Sequence, residues 1–171
     1  MAIIKTYTLN ISSQNIQNIE KEKHMANVST ASAQWQGDLQ NGSGTISLDS
    51  SQIFTDTPYN FEARAEHSAS ITTPEELLGA AHAACFSMAF SLLLSEKGYK
   101  VNNIYTQADV TFAVTADGPA ITKIHLKNQS KIAGISDDEF QKLAKETEVT
   151  CPVSKALASV PIELDAELVV G

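Results

Sequence analysis

The sequence is poor in several things at once. Its 171 residues contain one arginine, one tryptophan and two cysteines, and only 6% are aromatic. Two cysteines 66 positions apart form neither a CxxC pair nor a disulfide framework, so any role for the thiols lies in a reducing compartment, the cytoplasm, and in chemistry more than scaffolding. His24, His67, His82 and His125 show no metal-ligand spacing with each other or with the cysteines. There is no phosphate-binding glycine loop and no serine nucleophile elbow, so neither cofactor nor metal is expected. Residues 1–24 lack the continuous apolar stretch of a signal peptide, so no secretory leader is expected, and no run reads as the roughly 18 unbroken apolar residues of a membrane span. Basic charge is scarce: 12 Lys and Arg face 20 Asp and Glu, a net −8 with a pI near 4.9. Such a surface repels phosphate backbones and anionic lipid, which argues against nucleic acid and membrane partners.

What is present suits one ordinary core, since 43% of the residues are hydrophobic. Residues 1–24 differ in character from the rest and read as a leader or expression tag, with 25–171 as one domain. Ala31, Ala33 and Trp35 alternate with polar residues, Asn41-Gly42 offers a type I′ turn, and Thr45–Leu48 returns as the second strand of a hairpin. Tyr59–Ala65 reads as a third extended piece. Thr73-Pro74-Glu75-Glu76 then starts a helix: a hydroxyl cap, a proline where its missing N–H is harmless, and two carboxylates at the positive dipole end. It runs to Lys97, with Gly98 as its stop. Between Leu77 and Leu94 it holds no formal charge, which predicts burial on every side. Tyr105–Val114 and Ile121–Ile132 form a second hairpin across Asp117-Gly118-Pro119. A helix capped by Ser136, a short helical turn opened by Cys151-Pro152, and a final strand, Ile162–Val170, with one acidic face complete the chain. The order predicts an α+β fold of antiparallel sheets around a long buried central helix.

Three residues concentrate the chemical interest. Cys85 lies mid-way along the apolar helix and Cys151 precedes a proline at a helix start; on composition alone the preferred reading of both is as small core fillers. Arg64 stands alone among eleven lysines, which suggests a place where a planar, permanently charged fork is required. The competing reading is a rim salt bridge to Glu62 or Glu66. His82 shares a helical face with Cys85, so a Cys–His hydrolase is open, but a histidine hydrogen-bonded within the packing is the preferred reading.

The stretch from Pro74 to Ala89, PEELLGAAHAACFSMA, closely resembles the OsmC/Ohr family of thiol peroxidases, and Cys151-Pro152-Val153-Ser154 resembles that family's second cysteine motif. Trp35-Gln36-Gly37-Asp38 and Thr57-Pro58-Tyr59-Asn60-Phe61 are similar to its OsmC branch. The resemblance implies an intertwined homodimer with sites at the subunit interface, acting on organic hydroperoxides with a dithiol reductant. By position Cys85 resembles the peroxidatic thiolate and Cys151 the resolving thiol. Arg64 would lower the Cys85 pKa, and Glu75 would hold Arg64. Phe86, Met88 and Phe90 are the residues expected to line an apolar substrate pocket. One consequence follows from helix geometry: Glu75 and Cys85, ten positions apart, are separated by roughly 15 Å along an unbroken helix. A joint site therefore needs Arg64 and Glu75 from a second copy. The alternatives are a Cys85/His82 hydrolase or a non-catalytic carrier of small hydrophobic ligands.

Overall fold

The computed structural model describes residues 27–66 and 68–169; the expected leader, 1–24, lies outside them. The first hairpin is β1 (Ser32–Gln36) and β2 (Ser43–Ser47), joined by β3 (Thr57–Tyr59) in an antiparallel sheet of order β1-β2-β3. Its connection is not the expected type I′ turn. The Asp38 carboxylate accepts from the backbone N–H groups of Gln40 (3.0 Å) and Asn41 (2.9 Å), and the left-handed residue is Gly37, φ +93°. An aspartate that captures the local N–H groups removes the need for positive φ at Asn41-Gly42.

The third extended piece is also shorter than expected. After Tyr59 the chain turns into helix α1 (Phe61–Glu66), because the Asn60 side-chain oxygen accepts from the Ala63 N–H at 2.8 Å and caps it. Phe-Glu-Ala-Arg-Ala-Glu alternates in polarity, yet its alanines and charged residues are sound helix formers. Arg64 therefore sits in the last turn of a helix, not in a strand.

Helix α2 (Pro74–Glu96) starts and stops as the sequence requires. Thr73 accepts from the Glu76 N–H at 3.1 Å. At the other end Tyr99 N–H bonds Leu94 C=O and Gly98 N–H bonds Ser95 C=O, both 3.0 Å, with Gly98 at φ +84°. Those two bonds make a Schellman motif, which only a left-handed residue permits at low cost. By length and composition alone α2 would also suit a membrane span, against the sequence reading. In the fold it is a core helix with one covered face. Gly79, His82, Phe86, Phe90 and Leu94 are buried, whereas Met88 and Leu92 remain 74% and 61% exposed. The expectation of burial on all sides fails within one chain, because no described element covers the stripe Ala81, Ala84, Met88, Leu92.

The buried face of α2 packs on a second sheet of order β4-β5-β6, comprising β4 (Lys100–Thr115), β5 (Gly118–Ala133) and β6 (Ile162–Leu168). β4 and β5 form a long antiparallel hairpin, but β5 and β6 run parallel. Helices α3 (Asp137–Thr150) and α4 (Pro152–Ala156) carry the chain back between them, the crossover a parallel pair requires. The acidic side of β6 meets β5 as ion pairs and hydrogen bonds: Glu163 with Lys123, Asp165 with His125, Glu167 with Gln129. Phe86, Phe90 and Phe140 stack in sequence at 5.7 and 5.5 Å, with Ile124, Leu126 and Leu143 around them.

Candidate active site

The four residues singled out from the sequence fall into two separate pairs. Cys85 is part-buried on α2, and Cys151 is fully buried between α3 and α4; both thiols are free. Pro152 is the reason Cys151 lies where it does. A proline disfavours helical ψ in the residue before it, and Cys151 is accordingly extended, φ −53° and ψ 128°. α3 ends there, α4 restarts at Pro152, and the thiol at the break lies beside Cys85. Burial pushes the Cys85 thiol up; the Val153 N–H opposes that, and the neighbouring Cys151 adds to it. Burial also acts on Cys151, but the Ser154 N–H, the Cys85 thiol, the Ser154 hydroxyl and the Val153 N–H together outweigh it. The Cys151 thiol is held below its ordinary value and the Cys85 thiol above it.

Arg64 and Glu75 form the other pair. Glu75, at the first turn of α2, is 7% exposed and accepts from Arg64 Nη2 at 2.6 Å and from Nε at 3.1 and 3.2 Å. The guanidinium also lies over the Phe112 ring, 4.1 Å from its centroid. A carboxylate on one side and an aromatic face on the other fix the plane of the fork, so the rim pairing with Glu62 or Glu66 does not occur. Two cavities open beside it. One, of about 590 Å³, is lined by Arg64, Thr73, Glu75, Asp109 and Phe112; the other, of about 280 Å³, by Trp35, Leu39, Tyr59, Phe61 and Arg64. Neither is lined by Cys85 or Cys151. Because α2 is unbroken, the roughly 15 Å between Glu75 and Cys85 stands.

His82 makes its contact elsewhere. Its Nε2 lies 2.8 Å from the Ser154 hydroxyl, and both residues are buried. Burial pulls the imidazole pKa down, opposed by Glu148, so the ring is held towards its neutral form. This is the hydrogen-bonded packing histidine, and its side-chain partner among the described residues is Ser154, not Cys85. The expected apolar lining also needs correction. Phe86 and Phe90, four positions apart, both face the core at 0% exposed, and only Met88 points outward. Ser154 and Phe112 were missed as site residues, although Ser154 is the last letter of the second cysteine motif. Among the described residues no cluster of His, Cys, Asp or Glu could hold a metal ion.

A profile of OsmC-like proteins matches residues 67–165, a span that contains both thiols and Glu75. The chain belongs to the OsmC-like family. Peroxiredoxin OsmC of Escherichia coli (strain K12) is 44% identical over 136 residues, covering 80% of this chain and 93% of that protein. The organic hydroperoxide resistance protein OhrA of Bacillus subtilis (strain 168) is 33% identical over 93 residues, 54% of this chain and 64% of that one. Among solved structures, an OsmC-like protein from Mycoplasma pneumoniae superposes with a TM-score of 0.66 at 20% identity, covering 85% of this chain and all of that one.

Proposed function

We propose that this OsmC-like protein is a two-cysteine thiol peroxidase that reduces organic hydroperoxides to alcohols at the expense of a dithiol, working as a cytoplasmic homodimer. The observation that carries the reading is the adjacency of two free thiols brought from sequence positions 66 apart. The names of the relatives, a peroxiredoxin and an organic hydroperoxide resistance protein, agree with it. In the proposed cycle the Cys85 thiolate attacks the distal peroxide oxygen, the O–O bond breaks, and an alcohol leaves with a Cys85 sulfenic acid behind. Cys151 condenses with that sulfenic acid, releasing water and forming a disulfide, which the dithiol reopens by exchange.

Arg64 and Glu75 enter this cycle from a second copy. Within one chain burial holds the Cys85 thiol above its ordinary value, so its activation needs a cation that its own α2 does not supply. The uncovered stripe of α2 flanks Cys85, which gives a partner a surface on the side where that cation is required. Seated there, the Arg64 of another copy would stabilise the Cys85 thiolate and polarise the peroxide, with Glu75 setting its orientation. The apolar cavity of Trp35, Tyr59 and Phe61 beside the same arginine suits the hydrocarbon body of an organic hydroperoxide better than hydrogen peroxide.

The test is dithiol-dependent consumption of cumene hydroperoxide. The wild type should turn over, Cys85→Ser should not, and Cys151→Ser should stop after one equivalent. Mass spectrometry after one equivalent should find a Cys85–Cys151 bridge. Turnover by Cys85→Ser, or no turnover by the wild type, would overturn the reading.

A further inference from the structure

The peroxidase reading gives no task to His82 or Ser154, yet they form a buried side-chain hydrogen bond beside the thiol pair. His82 is 0% exposed, Ser154 4%, and the Nε2···Oγ distance is 2.8 Å. Burying a histidine costs stability unless it is hydrogen-bonded, and only one of its nitrogens is: Nδ1 has no partner among the described residues. That orphan decides the direction of the bond. If Nε2 accepted, the ring proton would lie on Nδ1 as a buried N–H without an acceptor, among the rarest defects in folded proteins. With the proton on Nε2, the ring donates to Ser154 and Nδ1 keeps only a bare lone pair. Ser154, whose oxygen accepts that hydrogen bond, is free to turn its own proton towards Cys151, three residues earlier at the start of the same turn.

We propose that His82 is a positioning residue that acts through Ser154, orienting the serine hydroxyl so that its proton points at the Cys151 sulfur and primes that sulfur for attack on oxidised Cys85. The inference rests on the peroxidase reading for the step it serves, though not for the hydrogen-bond chain itself. In that step the Cys151 sulfur attacks the sulfur of the Cys85 sulfenic acid. The S–S bond forms as the S–O bond breaks, Cys151 is oxidised and Cys85 reduced to the disulfide level, and the departing hydroxide takes a proton from solvent. A hydroxyl donating to the attacking sulfur favours its ionised form before the step. The charged groups around this corner are few. Glu148 of α3 faces His82 and is paired with Lys145, and α2 carries no charge between Leu77 and Leu94.

Two readouts on the full-length protein test the chain. The first is the pH profile of the ultraviolet thiolate absorbance of Cys151 in a Cys85→Ser background. Ser154→Ala should move that profile to higher pH, and Ser154→Thr should restore it. The second is rapid mixing with one equivalent of cumene hydroperoxide. Ser154→Ala should leave peroxide attack unchanged but slow disulfide formation about tenfold, the equivalent of one hydrogen bond to a charged sulfur. Dimedone-trappable Cys85 sulfenic acid should accumulate accordingly. His82→Ala should behave as Ser154→Ala, and His82→Gln, which keeps a donor, should recover. Folded variants whose thiolate titration and resolution rate match wild type would overturn the proposal, as would equal slowing of peroxide attack. Should the wild type form no sulfenic acid, the peroxidase reading fails alone, since the thiolate titration still reads the hydrogen-bond chain.

Discussion

Replacing Met88 with aspartate should take the protein apart and, with it, the activity. Met88 and Leu92 stand out from α2 at 74% and 61% exposed, next to the part-buried Cys85. Complete burial of such side chains is worth about 1.5–3 kcal/mol each. About two-thirds of each remains to be covered, and a two-fold interface counts every residue twice. The four side chains then supply roughly 4–8 kcal/mol of association free energy before its entropic costs. An aspartate removes half of that and adds two buried carboxylates without partners, so dissociation should weaken binding by about a thousandfold or more. The assay pairs light scattering behind size exclusion, at micromolar protein, with cumene hydroperoxide turnover. Wild type should run as a dimer and turn over; Met88→Asp should run as a folded monomer without peroxidase activity. Circular dichroism keeps the result interpretable, because an exposed position should tolerate the change in the isolated chain. A monomeric Met88→Asp with wild-type turnover would refute the composite site, and so would an active monomeric wild type.

Four further outcomes follow from particular contacts. Glu75→Gln removes the charge of the carboxylate that anchors Arg64; with the arginine side chain still 32% exposed, the loss should be about 1–3 kcal/mol of stability, read by urea denaturation. Thr73→Ala deletes the cap of α2, costs about 1 kcal/mol and should lower Tm by about 2–4 °C in a calorimeter. Gly44→Ala should be worse: its Cβ would run into the backbone oxygen of Gln34 and the Tyr59 ring, so the β1–β3 sheet must shift, and Trp35 fluorescence should report it together with a lowered Tm. The His82 pKa is lower in the folded chain than in the unfolded one, so the unfolded state binds more protons between the two values. His82 therefore contributes stability in full above about pH 6.5, and that contribution is lost as pH falls towards the folded value. Tm measured from pH 8 to 5 should fall less steeply on the acid side for His82→Gln.

What the sequence disclosed depended on how local the governing interaction was. The limits of α2 were legible because Thr73, Pro74 and Gly98 act on their own backbone neighbours. The hairpin β4–β5 and the helix opened by Ser136 were legible for the same reason. Reading Phe61–Glu66 as extended failed because six residues with alternating polarity fit both periods, and a side-chain cap from Asn60 decided between them. The parallel placement of β6 depends on where α3 and α4 return the chain, which no residue of β6 encodes. Arg64 could be marked as unusual by its isolation among lysines, but its anchor on Phe112 joins residues 48 positions apart and leaves no trace in spacing.

The two electrostatic facts at the centre of the fold constrain each other. Burial raises the Cys85 thiol, and the Val153 N–H does not offset it. The cation proposed to reverse this is held at the far end of the same rigid rod by Glu75, with the Phe112 ring beside it. An intramolecular rearrangement joining them would have to break α2, whose backbone bonds run uninterrupted from Pro74 to Glu96. Bringing a second chain against the uncovered stripe requires no such break and buries the apolar surface that α2 leaves open. On the proposed reading, assembly and thiol activation are then one event: Cys151 is the more acidic thiol in a lone chain, and Cys85 should become so in the dimer. Titrating the ultraviolet thiolate absorbance of a Cys151→Ser protein, which reads Cys85 alone, separates the two. Cys85 should ionise at lower pH in the Cys151→Ser dimer than in the same protein carrying Met88→Asp. If Cys85 ionises at the same pH in both, its activation does not come from a partner, and the arginine of another copy has no part in it.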